Sequence, residues 1–182
     1  EIQNLIAHDY VIKNRTFELT TKIPVNDIAD DQYGVYTPLI SEMGLSAKKH
    51  PDSLTFDLLG DGFNQKCYDG VSFFSNKHPM GGKDKAVQSN MGNKKLNAKS
   101  YAEARSQMMT VKGESHRSLN IVPDLLVVAP QKEAVARELL FADLIAGSSN
   151  VNKNTCDLLV VPELSDYAEQ WYLFCTKRYI KP

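Results

Sequence analysis

Three residues that can do chemistry crowd into one short stretch, CYDGVSFFSNKHPM at 67–80: Cys67, Asp69 and His78. A thiol beside an imidazole suggests covalent catalysis, with His78, His50 or His116 as the base that takes the thiol proton. No glycine-rich elbow or oxyanion motif surrounds Cys67. A free cysteine of this kind reads as a small buried hydrophobe. Cys67 and His78 also lack the second Cys-x-x-Cys or His-x-x-x-His partner that a tetrahedral zinc site needs, and His8, His50 and His116 stand alone. Gly60-Asp61-Gly62 and Met80-Gly81-Gly82 fit neither a Walker A loop nor a dinucleotide fingerprint. Asp30 and Asp31 suit a helix start better than a cation. The reactive residues therefore predict no catalytic, cofactor or metal site.

The totals narrow the field. The chain has 182 residues, 42% hydrophobic and 24% charged, with a net charge of −1. That is ordinary for one globular domain or two small lobes, and gives no global argument for nucleic acid or membrane. The charge is uneven, however. Residues 77–117 hold nine Lys or Arg against three acids, a local +6. A solvated loop and helix face is the plainer reading, because no aromatic residues alternate with the lysines as a base-stacking strip requires. Three widely spaced cysteines, Cys67, Cys156 and Cys175, argue against a disulfide framework and fit a reducing compartment. Apolar runs such as LLVVA at 125–129 are too short to span a bilayer, and no basic-then-apolar leader is present. A chain that starts at Glu1 is expected to come from something longer.

The elements that must position these residues follow from periodicity. Phe17, Leu19, Thr21, Ile23 and Val25 alternate with polar residues, which predicts a strand. Lys13-Asn14-Arg15 makes a turn, so 10–28 reads as a hairpin. Val35, Leu39, Met43, Ala47, Leu54, Leu58 and Leu59 suit one face of a long helix over 30–60, bent or interrupted by its prolines. Residues 61–98 read as irregular. Ser100 and Glu103 predict a capping box opening a helix that runs to about Val111. LLVVA at 125–129, LLVVP at 158–162 and Trp171–Thr176 predict strands, with a helix starting at Pro130.

The run NRTFELTTKIPVNDIADDQYGVYTPLISEMGLSAKKHPDSLTFDLLGDGF, then CYDGVSFFSNKHP, VQSN, PDLLVVAP, CDLLVVPEL and WYLF, resembles the major head subunit of Mu-like phages and prophages along nearly the whole chain. The resemblance implies an α+β, Hong Kong 97-like capsid fold. In it, 1–29 is the E-loop hairpin. Residues 30–99 belong to the P-domain with its spine helix and following loop, and 100–182 are mostly A-domain, returning to the P-domain. It implies a non-enzymatic shell subunit without cofactors, self-assembling into hexamers and pentamers around double-stranded DNA. Its partners are further copies, with scaffold and portal proteins, and no membrane. It would reside in the virion after assembly in the bacterial cytoplasm. Lys13, Arg15, Glu18 and Lys22 become candidate inter-subunit contacts, and Lys83, Lys85, Lys94 and Lys95 a candidate basic surface. Phe73 and Phe74 become anchors fastening the loop to a core. A Cys67/His78 hydrolase and a non-viral nanocompartment shell are the alternatives. Family members carry an arm before the hairpin and a tail beyond WYLF that help neighbouring subunits grip one another.

Overall fold

A computed structural model describes residues 15–29, 34–80, 86–113 and 117–177. The chain divides into two units, 1–57 and 58–182.

In the first unit the described residues of the expected hairpin, 15–28, form no strand. Residues 15–24 pair in no ladder with any described residue, and Val25–Ala29 forms a short helix, α1. The alternation of Phe17 and Leu19 is real, but both side chains are exposed. A period of two makes a strand only where a neighbouring strand takes up the backbone N–H and C=O groups. Lys13, Asp30 and Asp31 lie outside the described residues. The helix predicted over 30–60 runs as α2, Tyr36–Gly60, through Pro51 without a break. Pro38 falls in the first turn, where a missing N–H costs nothing. Near Pro51 the Thr55 hydroxyl donates to the Pro51 carbonyl at 2.8 Å. Phe17 meets the His50 ring edge-on, centroids 4.5 Å apart.

The second unit holds the core. Its centre is a three-stranded sheet ordered β6-β3-β7, with β3 Leu125–Val128, β6 Asp157–Val160 and β7 Trp171–Phe174. β3 pairs parallel with β6 and antiparallel with β7. The connection from β3 to β6 passes through a 3-10 turn at Pro130–Lys132, helix α4 at Glu133–Phe141 and a small hairpin. That hairpin is β4 Leu144–Ile145 and β5 Ser148–Ser149. Its two-residue turn, Ala146-Gly147, has positive φ at both positions (51° and 79°), as a type I′ turn requires.

Strand alternation sorts the sheet into two faces. On one, Leu126 and Val128 stand beside Leu158, Val160, Trp171 and Leu173, packed with Ala136, Leu139 and Leu140 of α4 and Leu96 and Tyr101 around helix α3, Ala98–Met109. On the other, Val127 lies opposite Tyr172. The α3 start corrects the sequence reading. Asn97 is the N-cap and Ser100 is its partner at the third position, with Asn97 Oδ1 accepting from the Ser100 N–H at 2.9 Å and Ser100 Oγ accepting from the Asn97 N–H at 3.0 Å. Asparagine caps as well as serine, and Glu103 is left to pair with Lys94 on the surface.

Candidate functional site

The loop after α2 brings Asp69 and His78 together and directs neither His78 nitrogen at Cys67. Cys67 begins a tight turn, its N–H donating to the Val71 carbonyl at 2.6 Å and its carbonyl accepting from Gly70 at 3.0 Å. Gly70 has φ of 83°, a conformation that favours glycine. Asp69 then receives the Val71 N–H on Oδ1 at 3.1 Å and His78 Nδ1 on Oδ2 at 2.6 Å. The other imidazole nitrogen, Nε2, faces the Phe73 carbonyl at 3.0 Å. A base that activates a thiol needs one ring nitrogen directed at sulfur, and here both are committed elsewhere. Cys67 is half-buried, more open than the sequence reading expects. Burial pushes the Asp69 carboxyl up, yet the bonds from His78 and Val71 outweigh it and hold the group below its ordinary value.

The rest of the loop is tied down by amides and aromatic rings. β1, His78–Pro79, pairs antiparallel with β2, Val87–Gln88. The Asn90 side chain donates to the Phe73 carbonyl at 2.7 Å and accepts from the Ser75 N–H at 2.8 Å. Phe74 packs against Phe63 (centroids 5.0 Å apart) and Tyr172 of β7 (5.5 Å). Phe73 touches Phe74 edge-on and is itself exposed. Two glycines permit this closeness. A Cβ on Gly62 would lie 2.9 Å from the Phe74 ring, and one on Gly60 would lie 2.3 Å from the Tyr167 ring. The GDG run is therefore a packing device.

A second cluster, missed in the sequence, sits under the sheet. Arg105 of α3 turns inward, and its Nη1 donates to the carbonyls of Pro123 and Thr155, both at 3.0 Å. These carbonyls precede β3 and β6, so one guanidinium clamps the entry to both parallel strands. The Tyr101 hydroxyl meets Thr155 Oγ1 at 2.7 Å and donates to Cys156 Sγ at 3.0 Å. Burial, then the bond to Cys156, push the Tyr101 phenol up to about 12. The only hint in the sequence was an arginine at helical spacing from Tyr101, which also fits a solvated face.

The remaining candidates lie on surfaces. Arg15, Glu18 and Lys22 are exposed, and Lys13 lies outside the described residues. Lys95 is exposed, Lys94 is exposed and paired with Glu103, and Lys83 and Lys85 lie outside the described residues. Arg105 drops out of the basic surface. Among the described residues no group of acidic, His and Cys side chains could hold a metal ion, and no helix is long and apolar enough to cross a membrane. Helix α2 is also open to the surface. Gly60 is its only buried residue, while Leu39, Ile40, Leu45, Leu54 and Leu58 are all exposed.

The model of the family "Mu-like prophage major head subunit gpT" matches residues 1–95 and 91–164. The chain belongs to that family. It is 52% identical over 79 residues to the major capsid protein of Escherichia phage Mu, a match covering 43% of this chain and 26% of that protein. It is 44% identical over 75 residues to the Mu-like prophage FluMu major head subunit of Haemophilus influenzae, covering 41% of this chain and 24% of that one. The matches thus span about a quarter of the length of these relatives. Among solved structures, the bacteriophage JBD30 capsid chain superposes with a TM-score of 0.72 at 22% identity, covering 91% of this chain and 82% of that one. A JBD30 procapsid chain gives 0.70 at 23%, covering 90% and 83%. The fold is the α+β, Hong Kong 97-like capsid fold that the sequence resemblance implied.

Proposed function

We propose that this chain serves as the shell-forming part of a phage or prophage head subunit, building hexamers and pentamers of a closed icosahedral capsid around double-stranded DNA. The observation that carries the reading is the capsid fold, matched over 91% of the chain. The bare apolar surface of α2 supports it, since exposed apolar surface of this kind marks sites of association. Many copies of a weak contact suffice in a closed symmetric shell.

On this reading 1–29 acts as the E-loop, 30–99 as part of the P-domain with α2 as its spine, and 100–182 mostly as the A-domain. The extended segment containing Arg15, Glu18 and Lys22, together with Lys13, gains its strand partners or polar contacts from a neighbouring copy. Phe74 anchors the loop after α2, with Phe73 as its outer buttress. Lys83, Lys85, Lys94 and Lys95 meet packaged DNA through non-specific charge contact. Scaffold and portal proteins are the further partners, the virion is the location, and assembly takes place in the bacterial cytoplasm. The chain has no catalytic role, a reading supported by the capture of both His78 nitrogens away from Cys67.

Electron microscopy of the full-length head subunit tests this. Rings or shells are expected, and Cys67→Ala leaves them intact. A small discrete species under every salt and scaffold condition, or an activity lost with Cys67→Ala, contradicts it. Reversing the charge of Lys83, Lys85, Lys94 and Lys95 without effect on DNA retention removes the DNA-contact part alone.

A further inference from the structure

His78 presents both ring nitrogens to acceptors: Nδ1 to the Asp69 carboxylate at 2.6 Å and Nε2 to the Phe73 carbonyl at 3.0 Å. A neutral imidazole has one N–H and one lone pair, whereas the imidazolium has two N–H groups and no lone pair. Only the protonated ring satisfies both acceptors. The neutral ring must turn its lone pair on the carboxylate or on the carbonyl. The carboxylate side is enclosed, with the Asp69 side chain 4% and the His78 side chain 15% exposed, so water is a poor substitute there and the mismatch is felt; the Phe73 side is more open.

We infer that the Asp69–His78–Phe73 arrangement is a proton-dependent latch that orders the 67–80 segment of the loop when His78 is protonated and loosens it when His78 is neutral. The latch joins the Cys67–Val71 turn to β1 through the side chain of Asp69, and to the Phe73–Phe74 step through the Phe73 carbonyl. Asp69 is the charged group facing the ring. Cys67 and Tyr68 are titratable neighbours in the same turn, Lys77 precedes His78 and points to solvent, and across the β1–β2 pair the opposed residue is neutral Gln88. Asn90 also bonds the Phe73 carbonyl, so the segment keeps one tether when the latch opens. That makes the opening local, which suits a switch better than an unfolding event.

The latch has limits on both sides. On the alkaline side it loses the His78 proton and one of its two bonds. On the acid side it loses the Asp69 charge. Because the folded value of that carboxyl is lowered, its contribution is present above its unfolded value of about 3.9 and is lost as pH falls through the folded one. The inference rests on this geometry and stands or falls apart from the shell reading.

Nuclear magnetic resonance of the chain with ¹⁵N-labelled histidine, between about pH 5 and pH 9, tests it. At the acid end of that range His78 should show two protonated ring nitrogens. As the ring loses a proton, the amides of Val71, Phe73 and Phe74 should shift with the same midpoint and their exchange protection should fall about tenfold or more. A His78→Asn variant should remove the pH response of these amides, and the wild-type titration keeps the test valid if that variant misfolds. Loop amides that ignore the His78 titration, or a ring that carries a single N–H throughout, overturn the latch.

Discussion

The long helix α2 and the β6-β3-β7 sheet both carry leucines, yet they use them in opposite ways. The centre of the sheet hides its apolar residues: Leu126 and Val128 are 0% exposed. α2 displays its own, with Leu58 63% and Leu45 59% exposed. The contrast separates two sources of order. The sheet unit is stabilised by burial within the chain. On the reading proposed above, the exposed apolar positions of α2 gain their cover from a further copy.

Core truncation breaks this comparison at its strongest point. Leu126→Ala should cost about 2–5 kcal/mol of folding stability, as a fully buried leucine does, read by urea unfolding. Leu39→Ala and Leu45→Ala should stay within about 0.5 kcal/mol of the parent in the free chain while reducing shell yield in electron micrographs. Equal destabilisation by both sets would mean that α2 is packed within the chain, and the distinction would fail.

Arg105→Ala sharpens the sheet side. It strips the N–H donors from the carbonyls of Pro123 and Thr155, and should cost about 1–3 kcal/mol through those unsatisfied groups. Arg105→Lys should recover only part of the loss, since the shorter lysine side chain has to place its ammonium where Nη1 now donates to both carbonyls at 3.0 Å. Urea midpoints of the three proteins read this order.

The sequence made the sheet legible and α2 only in part. LLVV and WYLF are apolar, branched or aromatic, and lie between turn residues, so their strands could be placed from local pattern alone. The helix was legible from its period, but its lack of burial was not, because amphipathic spacing says which face is apolar and never what covers it. Phe17–Val25 misled for the related reason that a strand is half a structure. Its alternation is present, but no described residue supplies a ladder. Ser100 misplaced the α3 cap because the pattern Ser-x-x-Glu is satisfied there by chance, three residues after the asparagine that does the capping. Arg105 and the Asp69–His78 pair were invisible as contacts. Both depend on where the fold brings a side chain, and nothing in the spacing distinguishes an inward arginine from a solvated one.

Alkaline pH gives a smaller effect on the sheet unit. The phenols of Tyr101 and Tyr172 are each pushed up to about 12, chiefly by burial. Their raised folded values mean that stability is fully present below the unfolded value of about 10 and is lost as pH rises from there through the folded values. Phenolate absorbance should therefore lag in the folded chain above about pH 10, with the melting temperature falling over the same range. A phenolate signal complete by about pH 10.5 in folded protein would contradict the packing of both rings.

The smallest expected effect lies in the β4–β5 turn. Ala146 holds φ of 51°, a conformation that asparagine tolerates better than alanine. Ala146→Asn should raise stability by about 0.5–1 kcal/mol, seen as a small upward shift in the urea midpoint, with no change in assembly.

Hydrogen exchange read by mass spectrometry, on the full-length head subunit in dissociated and assembled form, tests the central contrast most directly. The account predicts that Leu125–Val128, Asp157–Val160 and Trp171–Phe174 are protected in both forms, while amides of α2 exchange readily in free subunits and become protected in the shell. Equal protection of α2 in both forms would contradict it.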